Sequence, residues 1–145
     1  MPDVLDSRRL EAGAAVRADL RSGKVDARLV ELLASLLERH SLAISMIKSG
    51  HPMGPTSPAG RENDHFFFRA ADIVGVDGVL FADDPVSPGA IALGRHLLRL
   101  EGDRRPARVM GPAAWLASLG DGDRAGFRDD EFATEIHRDH VHIGF

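Results

Sequence analysis

"HFFFRAADIVGVDG", residues 65–78, is the stretch whose reading decides the fold. Its second half is apolar apart from Asp72 and stops at Asp77-Gly78, the signature of a buried strand followed by a tight turn. Upstream, "HPMGPTSPAGREND" (51–64) holds three prolines and two glycines and reads as a loop without regular structure. Before that loop, "LAISMIKSG" (42–50) alternates Ile44 and Met46 against Ser45 and reads as a second strand. The first forty residues read as two helices, with Leu10, Ala14, Val16 and Leu20, then Leu29, Val30, Leu33, Leu36 and Leu37, at helical spacing around a break at Ser22-Gly23. Asp26 is placed to cap the second of them.

Downstream, "PGAIALGRHLLRLE" (88–101) reads as a helix with Pro88 in its first turn and Gly102 beyond its end. "RPARVMGP" (105–112) fits a short strand and "AAWLASLG" (113–120) a short helix stopped by Gly120. "DGDRAGFRDDE" (121–131) reads as a polar loop, and the closing "HVHIGF" (140–145) alternates as a strand. Helices first, then short strands among helices and loops, indicate an α+β domain, a small antiparallel sheet flanked by helices. Residues 1–145 form a single domain, with a helical part over 1–41 and the sheet over 42–145.

Composition narrows the function. At 145 residues, 43% hydrophobic and 28% charged, the chain can bury one core. Its 18 basic residues are scattered among 22 acidic ones for a net charge of −4, which argues against a nucleic-acid partner. No run approaches a membrane span, and "MPDVLDSRRL" lacks the basic-then-apolar order of a signal peptide. With no cysteine, any transition-metal site must be built from imidazole, carboxylate or water.

Of seven histidines, three fall in the last nine residues, "HRDHVHIGF" (137–145). On a strand His140 and His142 share a face. His65 and Asp72, seven apart where loop becomes strand, are the best candidate ligands elsewhere, and the terminal pair can supply a third from a neighbouring strand. An activated water needs a base, and Asp139 is the acid nearest His142.

The combination of "HFFFRAAD" with a late "HVH" resembles the D-Ala-D-Ala carboxypeptidase and endopeptidase family of zinc peptidases, whose fold is shared by the hedgehog signalling domain. The family motif, approximately S-x-H-x-x-G-x-A-x-D with a later acid three residues before a histidine, falls here on Asn63, His65, Phe68, Ala70, Asp72, Asp139 and His142. "ISMIKSGHP" stands where the family has a strand ending in Ser-Gly, so the resemblance spans about residues 42 to 145. It implies one Zn2+ held by His65, Asp72 and His142, with Asp139 as general base and His140 facing the oxyanion or leaving group. The implied reaction is hydrolysis of a peptide bond in a peptidoglycan stem peptide, as a carboxypeptidase or an endopeptidase. Acting on the cell wall implies work outside the cytoplasm or after release by a phage.

The chain departs from the motif at Asn63 for serine, at Phe68 for glycine and at Asp139 where glutamate is commoner. The family arginine that follows Ser-Gly is absent, since Gly50 is followed by His51 and Pro52; Arg69, Arg61 or His51 can take its place at the substrate, beside Asn63. The alternative is a non-catalytic zinc-binding module of the same fold that holds a cell-wall peptide or a protein partner. Elsewhere, His137 reads as an exposed bystander, His40 and His96 as surface or boundary residues on helices, and Phe66, Phe67, Phe68 and Trp115 as core. Asp83-Asp84 and Asp129-Asp130-Glu131 lack the spacing of a calcium loop and read as solvated charge.

Overall fold

The computed structural model describes residues 3–57, 60–120 and 122–145. Pro58, Ala59 and Asp121, which fall in two of the expected loops, lie outside the described residues, as do Met1 and Pro2. After a 3-10 turn at Val4–Asp6 come β1 (Leu10–Ala12), α1 (Ala14–Arg21), α2 (Ala27–Leu37), β2 (Leu42–Met46), β3 (Ala70–Val76) and β4 (Val79–Leu80). The chain continues through α3 (Pro88–Arg99), a 3-10 turn at Gly102–Arg104, β5 (Arg108–Met110), α4 (Ala113–Ser118), α5 (Glu131–Ile136) and β6 (Val141–Gly144).

The architecture is α+β, with a six-stranded sheet in the order β1-β2-β3-β6-β5 and β4 paired to β3. The sheet is mixed, which corrects the expectation of an antiparallel one: β1 runs parallel to β2, Leu10 facing Leu42, and α1 and α2 form the crossover between them. Residues 10–12, expected as the start of the first helix, are this edge strand, because Leu10 reaches the core only by extending along β2. α5 is also absent from the sequence reading. Its Phe132 and Ile136 are exposed and lend it no apolar stripe, while Asp130 caps it by accepting a hydrogen bond from the Ala133 N–H.

The remaining elements follow their local signals. Asp26 accepts from the Arg28 N–H at the start of α2, whose Leu29, Leu32, Leu33, Leu36 and Leu37 are all buried. Ser87 caps α3 through the Ala90 N–H, and Pro88 occupies the first turn. The Asp77-Gly78 turn between β3 and β4 has φ of 50° and 81° at its two residues, as a type I′ hairpin requires. A single apolar core joins Leu33, Leu36, Ile44, Ile73, Leu93, Trp115 and Ile143, with the Trp115 indole N–H donating to the Ala90 carbonyl. Trp115 is core as expected, whereas Phe66 and Phe67 are about 40% exposed and Phe68 is half-buried, so the phenylalanine run is not.

Two pairings position the site. β6 lies antiparallel to β3 with Asp72 directly opposite His142, which puts both side chains on one face. β2 lies on the other edge of β3, with Met46 opposite Asp72, so the chain leaving β2 passes beside the same place. No helix among the described residues is long and apolar enough to cross a membrane.

Candidate metal centre

His65 lies in the turn that leads into β3. Asn63 ties that turn down by donating its side-chain N–H to the Gly54 carbonyl (2.9 Å) and accepting the His65 backbone N–H (3.2 Å). The turn closes at Phe68, whose φ of 59° lies in the left-handed region that favours glycine. The resembled motif has glycine at this position.

The turn brings His65 onto the Asp72/His142 pair. His65 Nε2 is 3.1 Å from Asp72 Oδ1 and 3.1 Å from His142 Nδ1, and the last two are 3.2 Å apart. His65 and His142 are buried, and the three residues form the one group among those described that can hold a metal ion. The triangle fits an ion: two donors bonded at 2.0–2.1 Å with a tetrahedral angle between them stand about 3.3 Å apart. Two imidazoles and one carboxylate serve zinc hydrolases and also non-haem iron sites, so the donor set alone does not name the metal.

The far nitrogen of His65 is hydrogen-bonded, as in a metal-ligating histidine, and that of His142 faces a carboxylate at longer range. The His65 Nδ1–H donates to the Ile47 carbonyl, at 2.6 Å, which leaves the Nε2 lone pair directed at the triad. Ile47 follows β2, so the β2–β3 pairing sets this contact. His142 Nε2 is buried without a hydrogen-bond partner and lies 3.7 Å from Asp64 Oδ2, an ion-pair distance. Asp64 is itself almost fully buried and held by both ends of the Arg108 guanidinium. Gly144 makes room for this layer, since a Cβ there would collide with Asp64 Oδ2 and stand 3.0 Å from His142 Nε2.

Burial works to raise the Asp72 pKa, but the adjacent His142 and His65 rings hold it well below the usual carboxylate range. Burial likewise works to lower His142, yet Asp64 and Asp72 on either side raise it above an ordinary histidine. Protonation of His142 is therefore favoured relative to an ordinary histidine in the metal-free protein, and a metal ion has to compete with that proton.

A second layer of histidines surrounds the triad. His140 Nδ1 is 2.7 Å from Asp139 Oδ1, and His140 Nε2 is 3.8 Å from Asp72 Oδ1. Asp139 is thus separated from the triad by His140, and its own side chain is 62% exposed. Contrary to expectation, His137 is half-buried at the site: its ring packs on His140 and His142, with centroids 4.9 and 5.6 Å away. The His137 Nδ1–H donates to the Ala133 carbonyl, and burial pushes the ring's pKa down to about 4. His51 stacks on His65 at 4.6 Å between centroids, and burial lowers its pKa.

Arg69 is turned to other partners, pairing with Glu62 at 2.9 Å and approaching Asp64 at 3.6 Å. Asn63 is likewise occupied with the turn. His40, expected at the surface or on a helix, lies past the end of α2, is buried and pairs with Asp77. Sequence reasoning missed Asp64, Arg108 and the Ile47 carbonyl. Asp64 had a weak signal in its position beside His65; Arg108 and a backbone carbonyl had none.

No family model matches the chain, and neither a curated protein nor a solved structure does. The site therefore rests on its own donor chemistry. Three concavities of the molecule, beside Arg28 and Arg104, beside Arg39 and Arg95, and beside Asp3 and Glu38, are lined by none of the site's residues.

Proposed function

We propose that this protein is a zinc-dependent peptidase that hydrolyses peptide bonds in peptidoglycan stem peptides. The observation that carries the reading is the convergence of His65 Nε2, Asp72 Oδ1 and His142 Nδ1 on one point beside a His140–Asp139 pair. Zinc is the metal of choice because three protein ligands with a proton acceptor alongside suit hydrolysis. The peptide substrate follows from the sequence resemblance, which the left-handed backbone at Phe68 supports.

When bound, zinc supplies Lewis acidity that polarises a carbonyl and acidifies water. The chain's own residues divide the rest. Asp139 accepts the His140 Nδ1–H, which fixes the tautomer and leaves the His140 Nε2 lone pair free to take a proton on the Asp72 side. His140 is therefore the better-placed base, and Asp139 orients it. His137, with its Nδ1–H donated to Ala133 and its pKa pushed down, presents an Nε2 lone pair that can accept a hydrogen bond from a substrate N–H.

A binding module remains a second reading, favoured by one observation: Arg69, a candidate for the missing family arginine, is engaged by Glu62. The test combines metal analysis with turnover. Purified protein should hold about one equivalent of zinc, lost in His142→Ala, and should release fragments from purified peptidoglycan. His140→Ala should keep the zinc and lose about 10²–10⁴-fold in rate. Zinc-loaded protein that binds peptidoglycan without cutting it establishes the module; protein that takes up iron rather than zinc, or no metal, overturns both.

A further inference from the structure

The Asp77 end of β3, about 16 Å along the strand from Asp72 at 3.3 Å per residue, carries a different cluster. A concavity of about 620 Å³ lies between the end of α2 and the outer stripe of α3, lined by Arg39, His40, Ile91, Arg95, His96 and Arg99. Five of its eight lining residues are basic types, the others being Pro88, Ile91 and Ala92, in a chain whose net charge is −4. Arg28, Arg69, Arg105, Arg108 and Arg138 are the ion-paired arginines of the described residues; Arg39, Arg95 and Arg99 are not among them.

Asp77, which pairs with His40 of the cluster, is already committed. It accepts the Ser41 N–H at 2.9 Å and pairs with His40 Nδ1 at 3.2 Å. The excess of positive charge is felt locally: burial and then Arg39, Arg99 and His40 all push the His96 pKa down, and no acid opposes them. Helix dipoles account for His96 and Arg99 in the last turn of α3 and for Arg39 just past the end of α2, but not for Arg95, which precedes the last turn of α3.

We propose that this concavity is a binding site for a phosphate ester. Arg95 and Arg99 stand one turn apart on α3, and Arg39 faces them from the end of α2. Planar guanidinium forks suit the oxygens of a tetrahedral oxyanion, and three of them around one hollow can hold a single phosphoryl group. Ile91 at the other end of the stripe gives an apolar rest for the carbon part of the ester. The inference is independent of the metal centre, with which it shares no residue.

The experiment is a titration of inorganic phosphate and of glycerol 3-phosphate into ¹⁵N-labelled protein, against sodium chloride at equal ionic strength. The expected result is saturable shifts at the amides of Arg39, His40 and Ile91–Arg99, with at least tenfold weaker binding in Arg95→Gln/Arg99→Gln. Both arginines are exposed, so the variant should keep its fold, checked by its spectrum. A glycerol phosphate oligomer that binds tenfold tighter than the monomer assigns the ester to a phosphodiester polymer; equal or weaker binding assigns it to a small molecule. Non-saturating shifts, shifts reproduced by chloride, or unchanged affinity in the variant overturn the site.

Discussion

Asp64→Asn tests whether the layer behind His142 serves the metal. The Asp64 carboxylate is 2% exposed, lies 3.7 Å from His142 Nε2 and is clasped by Arg108. Asparagine keeps the volume but removes the charge. Losing a carboxylate behind a ligating histidine costs about 10–100-fold in metal affinity, or ~1.4–2.7 kcal/mol. The loss should depend on pH, because Asp64 also helps to raise the His142 pKa and so strengthens the competing proton. At pH 8, where the proton matters least, the full loss should appear, and at pH 6 it should shrink as the variant's His142 gives up its proton more readily. Zinc affinity measured by competition with a chromophoric chelator at pH 6, 7 and 8 gives both values. An affinity within twofold of the parent at pH 8, or a loss that grows as pH falls, would refute the assignment.

Other perturbations probe the same frame. Gly144→Ala should weaken zinc binding and destabilise the protein by about 1–3 kcal/mol, because the new methyl group meets Asp64 and His142; chelator competition and urea unfolding read the two effects. His137 should titrate near pH 4 in an NMR pH series of the metal-free protein. Its folded pKa lies below the unfolded value near 6.5, so the unfolded state binds more protons between those limits, and stability should rise with pH across that window. His137→Phe should flatten this part of the slope. Asp19→Ala should cost about 2–4 kcal/mol in urea unfolding, since the Lys48 and Ser49 N–H groups and the Ser49 hydroxyl all lose their acceptor. Burial works to raise the Asp19 pKa, but the Ser49 and Lys48 hydrogen bonds lower it overall, so this stability is present above the unfolded carboxylate pKa and disappears as pH falls through the folded one.

Much of the site was legible in the sequence, and the reason is register. Once 70–76 and 141–144 are strands, Asp72 and His142 each need only one partner strand to meet, and the apolar runs around them specify those strands. The edge strand at 10–12 was not legible: three residues with a single buried leucine give no period, and only pairing along β2 makes them a strand. α5 was hidden for the opposite reason, because a helix with two exposed apolar residues and a capping aspartate reads as a polar stretch.

By itself the sequence determined the α+β class, a buried strand in the second half of 65–78, the helix capped by Asp26 and the helix opening at Pro88, because each rests on local period or capping; His65 and Asp72 stood out by residue type and position, and the resemblance chose His142 from the terminal pair. Tertiary structure alone decided what surrounds those ligands. The Ile47 carbonyl behind His65, the Arg108–Asp64 pair behind His142, and His140 standing between Asp139 and the triad all come from segments far apart in the chain or from backbone groups every residue carries. Residue identity marks which atoms can bind a metal; only chain packing sets which of their lone pairs face one another.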